Sequence, residues 1–390
     1  MWWNNKRIYL DYAAATPVRR EALYAYNDAV GTFGNPSGLH SESVAALELL
    51  EKSREAIARV LQCRAGELIF TSGGTEGNNI AIFGSIKTPQ GAHIVVSALE
   101  HPSVLRSIVA LEQWGAKVTR VMPDSHGQIK PEAVAEALTP QTVLVSVGWA
   151  NGEIGVVQPL SAIAKVIRAY EERHGTRVFL HSDAGQAPLY EKSAIHSLGV
   201  DLMTFDSGKL YGPRGIGVLF IANGVELRPT MFGGKQEKGI RPGTENVALA
   251  AGFAVAIETV AKERDTETRR LLGLQKILIT RLEKVSAIVN GEGAKHTLPH
   301  IVNVSVLDID AEYVALALDH RGVAISTKTS CEERERESAV VKALGLEPWR
   351  AGSALRFSMG RDTTVRDITH ATHVLAEVIA IIRSHQNAKK

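Results

Sequence analysis

The chain has 390 residues, more than one ordinary hydrophobic core accommodates, so two domains are expected. Apolar residues make up 45%, and Lys+Arg 44 against Asp+Glu 42 leave a net charge of +2, which removes the electrostatic case for nucleic acid or an anionic membrane as the main partner. The only cysteines, Cys63 and Cys331, exclude a disulfide framework or a cysteine-rich metal site and fit a reducing, cytoplasmic setting.

The opening MWWNNKRIYLDY lacks a signal-peptide apolar core, and no run approaches membrane-spanning length. Residues 41–61 place Val44, Leu47, Leu50, Ile57 and Val60 on one helical face. A short strand, Leu68-Ile69-Phe70, runs into TSGGTEGNN. Strand-like runs follow at 93–97, 118–122, 143–147, 177–181, 201–205 and 216–221, with amphipathic helices at 103–114, 132–138 and 160–173. This alternation predicts an α/β domain with a largely parallel sheet. A long amphipathic helix over about 248–282 leads out of it. Beyond lie strand-like 300–307, helix 311–319, strand-like 323–326, a charged loop, strand-like 354–359 and a helix from 366, which predict a smaller α+β domain. We expect residues 15–260 to form the large domain, and 1–14 with 261–390 the small one that carries the cysteine loop.

In an open α/β sheet, ligands collect beyond the carboxyl ends of the strands. The polar residues expected there are Gly74-Thr75, His101, Asn151-Gly152, Asp183 with Gln186, and Ser207 with Lys209. A lysine to carry an aldehyde as a Schiff base, with a carboxylate to hold a ring nitrogen protonated, suits pyridoxal phosphate. The glycine turn at a helix start is either a phosphate cradle or an ordinary helix cap. His101 is either a ring-stacking acid/base or structural. Arg356, inside an apolar run, needs an anionic partner, either a substrate carboxylate or a structural ion pair. Cys331 lies in a charged loop, where Glu332, Glu333 and Glu335 oppose Lys328, Arg334 and Arg336 in setting its pKa.

With these residues in place, the chain resembles the cysteine desulfurases, in the class-V aminotransferase branch of fold-type I pyridoxal-phosphate enzymes. The resemblance rests on IYLDYAAATP, FGNPSGLH, LIFTSGGTEGNN, ALEHPSV, NGEIGVVQP, HSDAGQ, GKLYGPRGIG, GGKQEKGIRPGTENV, the cysteine loop and LRFSMGR. It implies a seven-stranded, mainly parallel sheet and bound pyridoxal 5'-phosphate. It makes Lys209 the Schiff-base lysine, Asp183 the partner of the ring nitrogen, His101 the ring-stacking acid/base and Gln186 a contact to the phenolic oxygen, with Asn151 also at the cofactor. Gly74, Thr75 and Ser207 fall near the phosphate, and Thr244 reaches the site of a second subunit in a homodimer. Arg356 grips the carboxylate of L-cysteine with Asn35 nearby, and Cys331 accepts the sulfur as a persulfide for an acceptor protein in iron–sulfur assembly or thiolation. A selenocysteine lyase or other class-V lyase, and a degenerate assembly subunit, are the alternatives.

Four positions depart from the family pattern. Gly208 stands where a histidine is usual, Asp206 where a phosphate-binding serine is usual, Gly152 where an asparagine precedes EIG, and Lys235 at the third glycine of GGG. Lys235 offsetting the charge of Asp206, or Ser207 taking over the hydroxyl contact, are the compensations the sequence offers.

Overall fold

The computed structural model describes residues 7–192, 194–328 and 337–387. The strands run in chain order as β1 Ile8–Tyr9, β2 Leu68–Thr71, β3 His93–Ser97, β4 Lys117–Val121, β5 Thr142–Ser146, β6 Phe179–Asp183, β7 Leu202–Asp206, β8 Gly217–Ile221, β9 Ala287–Val289, β10 Ile301–Val306, β11 Val323–Ala324 and β12 Ala354–Ser358. Seven of them form one sheet in the order β2-β8-β7-β6-β5-β3-β4. Its β7-β6-β5-β3-β4 portion is parallel, and β8 lies antiparallel between β7 and β2. Two reversals bring β2 back to the direction of β7. The carboxyl ends of β2, β3, β6 and β7 therefore share one edge, where the site forms.

The period-2 alternation of the strands assigns each side chain to a layer. Ile94 and Val96 of β3 and Leu144 of β5 pack under the helix Pro102–Gln113 through Val104, Ile108 and Leu111. Val95, Val145 and Leu180 face the other way, into the layer that holds Leu160, Ile163 and Ile167 of the helix Leu160–His174. Burial on both faces is why these strands read as continuous apolar runs. At the edge, β4 instead exposes Lys117 and Arg120, charges that discourage pairing with another chain.

The helix expected over about 248–282 spans Val247–Glu283 and packs against the helices Arg20–Ala29 and Ser41–Leu61. It leads to an antiparallel sheet in the order β12-β10-β9, while β1 pairs in parallel with β11. The strand expected at 323–326 is shorter, because Ser326 pairs with Arg356 as an isolated bridge instead. No described helix is long and apolar enough to cross a membrane.

One glycine fixes how the turn after β2 sits on the sheet. A β-carbon at Gly217, the first residue of β8, would stand 2.4 Å from the Phe205 carbonyl oxygen and 2.9 Å from the Gly73 Cα. Both obstacles are backbone, so they cannot rotate away. Gly217→Ala is expected to lower the stability of the cofactor-free protein by about 1–3 kcal/mol, measured as a lower midpoint in urea unfolding.

Candidate active site

A cavity of about 300 Å³ opens at the carboxyl edge and is lined by Gly74, Thr75, Glu100, His101, Asp183, Asp206, Lys209 and Arg356 among others. Lys209 closes a single 3-10 turn, Ser207–Lys209, that follows β7. Its Nζ donates to the carbonyls of Ala13 at 2.8 Å and Ala14 at 2.5 Å. Burial depresses its pKa below the ordinary lysine value, because an ammonium loses more than an amine when water is removed. A neutral amine is what attack on an aldehyde requires.

Asp183 ends β6 and is held from both sides. Gly185 N–H donates to Oδ1 at 2.8 Å and Asn78 Nδ2 to Oδ2 at 2.7 Å. The same amide group of Asn78 donates to Ser103 Oγ at 2.9 Å. His101 caps the helix Pro102–Gln113, its Nδ1 accepting the Ser103 N–H at 3.1 Å. Burial lowers its pKa, so the ring is held neutral with its proton on Nε2. Asn78, which orients Asp183, is a residue of the site that sequence reasoning missed. The second asparagine of the GNN run, Asn79, lies nearby, and only the fold separates their roles.

Glu100 was missed too. It is buried on the cavity wall, Oε1 accepting Gly148 N–H at 2.7 Å while Oε2 has no hydrogen-bond partner. Burial, with the Asp183 charge adding to it, pushes its pKa up to about 8. Its signal in the sequence was a carboxylate inside the apolar ALEHPSV run.

Arg356 is buried, and the two readings of it meet in one arrangement. Nη2 donates to Asp11 Oδ1 at 2.7 Å and Nη1 to the Gly152 carbonyl at 2.9 Å, while Nε has no partner. It is therefore a structural ion pair that also faces the cavity. Gln186 lines the cavity with its carboxamide engaged: Nε2 donates to Ala13 O at 2.8 Å and Oε1 lies 3.3 Å from His300 Nε2. Asn151 spends its side chain on the turn, donating to Leu99 O and accepting the Glu153 and Ile154 N–H groups.

Other expected residues stand elsewhere. Ser207 is buried beside Gly212, outside the cavity lining, and its Oγ has no partner. Asp206, at the end of β7, and Lys209, at the end of the turn, both line the cavity, whereas Ser207 between them does not. The hydroxyl compensation is thereby corrected. Lys235 is exposed and faces a separate depression with Arg54 and Glu237, so it does not neutralise Asp206 within one chain. Asn35 and Thr244 are exposed and line no part of this cavity in a single chain. Cys331 lies outside the described residues; the described chain after its segment reaches the cavity, and the chain before it pairs with the strand that carries Arg356. Ser326 exchanges backbone hydrogen bonds with Arg356 at 3.2 and 2.7 Å, and Ser338 Oγ donates to the buried Glu153 at 2.6 Å. Ala339 and Val340 then line the wall.

Residues 8–370 match the profile of the class-V aminotransferases. This chain belongs to that family. It is 36% identical to the cysteine desulfurase IscS of Dictyoglomus turgidum, over 97% of this chain and 96% of that one. It is also 36% identical to cysteine desulfurase IscS 1 of Archaeoglobus fulgidus, over 96% and 98% respectively. A solved NifS-like protein superposes with a TM-score of 0.89 at 28% identity, covering 96% of this chain and all 100% of its own. A NifS-like protein from Rickettsia africae gives 0.85 at 28% identity, over 95% and 99%. The fold is that of the fold-type I enzymes, and the family's enzymes depend on pyridoxal phosphate.

The residues present fit the aldehyde and ring of that cofactor. Lys209 supplies an amine depressed by burial, Asp183 an oriented carboxylate, and His101 a neutral ring. At the phosphate end, Gly73 has φ +147°, which favours glycine, and opens the helix Gly74–Ser85. Helical geometry leaves the first N–H groups of such a helix unpaired. There, however, the Gly74 N–H already donates to Asp206 Oδ2 at 3.1 Å.

The raised pKa of Glu100 carries a pH dependence. A carboxyl that keeps its proton longer in the folded chain makes folding weaker as pH rises from its ordinary value near 4.5 through about 8. Glu100→Gln keeps the acceptor for Gly148 and removes the ionisation. Its melting temperature relative to the unaltered protein is expected to climb across that interval and level off above it, as differential scanning fluorimetry over a pH series will show.

Proposed function

We propose that this cavity takes sulfur from L-cysteine, releases L-alanine and passes the sulfur, as a persulfide on Cys331, to an acceptor protein for iron–sulfur cluster assembly or thiolation. The observation that carries the reading is the meeting, in one cavity, of the carbonyl-held amine of Lys209, the oriented carboxylate of Asp183 and the buried guanidinium of Arg356.

When bound, pyridoxal phosphate supplies an electron sink that labilises bonds at and next to the substrate α-carbon. Lys209 would hold the aldehyde and would move the proton at the substrate α-carbon. Asp183, fixed by Asn78 and Gly185, keeps a proton on the ring nitrogen. Arg356 turns its remaining donor capacity to the substrate carboxylate, with Asp11 holding the fork in place. His101 manages the thiol proton through Nε2. The Cys331 thiolate then attacks the substrate sulfur: an S–S bond forms as Cβ–S breaks, the bonding pair goes to the carbon side, and protons returned at Cβ and at Cα complete alanine. The pairing of Ser326 with the Arg356 backbone, and of Ser338 with Glu153 just before the wall residues Ala339 and Val340, supports this, because it anchors the described chain on either side of the cysteine segment close to the cavity.

The working unit in this reading is a cytoplasmic homodimer. Asn35 lies between Phe33, 81% exposed, and Leu39, 98% exposed, and the segment that holds Thr244 begins beside Phe232, 87% exposed. Large apolar side chains left this open mark a surface made to be covered.

Cys331→Ser tests the nucleophile. The variant is expected to keep the visible absorbance of the bound cofactor while alanine release from cysteine falls by about a hundredfold or more. Undiminished alanine release, measured under reductant, contradicts the assignment.

A further inference from the structure

The carboxylate of Asp206 turns into the site. Oδ2 accepts the Gly74 N–H at 3.1 Å and Oδ1 accepts the Gly208 N–H at 2.7 Å. A β-carbon at Gly73 or Gly74 would lie 3.4 Å from Oδ2, so the carboxylate rests directly on the glycine turn. Among the described residues no cation forms a contact ion pair with it: Lys209, whose charge it favours from a longer range, donates to Ala13 and Ala14, and Arg241 pairs with Glu76. Asp206 is held by backbone N–H groups and by the N-terminal end of a 12-residue helix, the same donors a phosphate uses.

We propose that Asp206 is a resident anion seated at the phosphate end of the cofactor site, so that this chain grips pyridoxal phosphate through the aldehyde and ring and gains little from the phosphate. The inference rests on the pyridoxal-phosphate reading of the cavity. A phosphate arriving there must share its donors with a carboxylate or displace it, and two like charges at that spacing repel. A serine at this position gives a hydroxyl and no charge. The position of Asp206, on the same side of its turn as Lys209, therefore makes it the residue that sets discrimination between phosphorylated and unphosphorylated forms of the aldehyde. Asp206 also acts on the empty protein, where it satisfies two backbone donors that otherwise face solvent or a ligand.

The test titrates cofactor-free protein with pyridoxal phosphate and, separately, with pyridoxal, following the visible absorbance of the lysine-bound aldehyde. In the unaltered chain the two dissociation constants are expected to lie within about tenfold of each other. Asp206→Ser should tighten pyridoxal phosphate by about tenfold or more and leave pyridoxal within about threefold. Asp206→Asn, which keeps the shape and removes the charge, should shift the same way. Cofactor-free Asp206→Ser should meanwhile melt at a lower temperature, a loss that on structural grounds alone would weaken both ligands together. Unchanged or weaker affinity for pyridoxal phosphate in both variants, with the absorbance still forming, overturns the role of Asp206. If neither the unaltered chain nor either variant forms the absorbance, the cofactor reading itself fails.

Discussion

Lys209 holds its amine between the carbonyls of Ala13 and Ala14, on the same edge of the sheet as the Asp183 carboxylate. Two constraints produce that placement. The first is the parallel sheet, which delivers the ends of β6 and β7 side by side. The second is the segment from Asp11 to Thr16, which runs across the floor of the cavity. Asp11 pairs with Arg356, Ala13 takes hydrogen bonds from Gln186 and Lys209, and Thr16 Oγ1 ties Gly208 O and the Tyr211 N–H together. A few residues near the start of the chain thus orient side chains almost two hundred to three hundred and fifty positions away. That dependence gives the IYLDYAAATP motif a physical reason.

The charge balance of the site follows from the same geometry. Burial lowers the pKa of Lys209 and His101 and raises that of Glu100, so each drifts toward its neutral form. Asp206 and Asp183 raise the first two again, by the attraction of a carboxylate for a cation. Asp206 therefore acts in two places, on the Gly74 and Gly208 N–H groups and on the amine, from one position at the end of β7.

Much of this was legible in the sequence because it depends on local period. The helix read at 41–61 spans Ser41–Leu61, and the strand read at 93–97 is His93–Ser97. Asp183 and Lys209 were visible as polar residues at the ends of apolar runs. The direction of a side chain in an irregular turn was not visible: whether Asp206 or Ser207 faced the cavity depended on a 3-10 turn one step long. Contacts between distant segments were equally hidden. Nothing local to LRFSMGR says that Asp11 is the partner of Arg356, and nothing local to ALEHPSV says that Glu100 is buried against Gly148. These follow from strand order, which periodicity alone does not set.

The most direct measurement is reduction of the cofactor-loaded protein with borohydride, followed by proteolysis and mass spectrometry of the labelled peptide. The account predicts one pyridoxyl group per chain, on the peptide that contains Lys209. A label on a different lysine, or none with excess cofactor present, would contradict it.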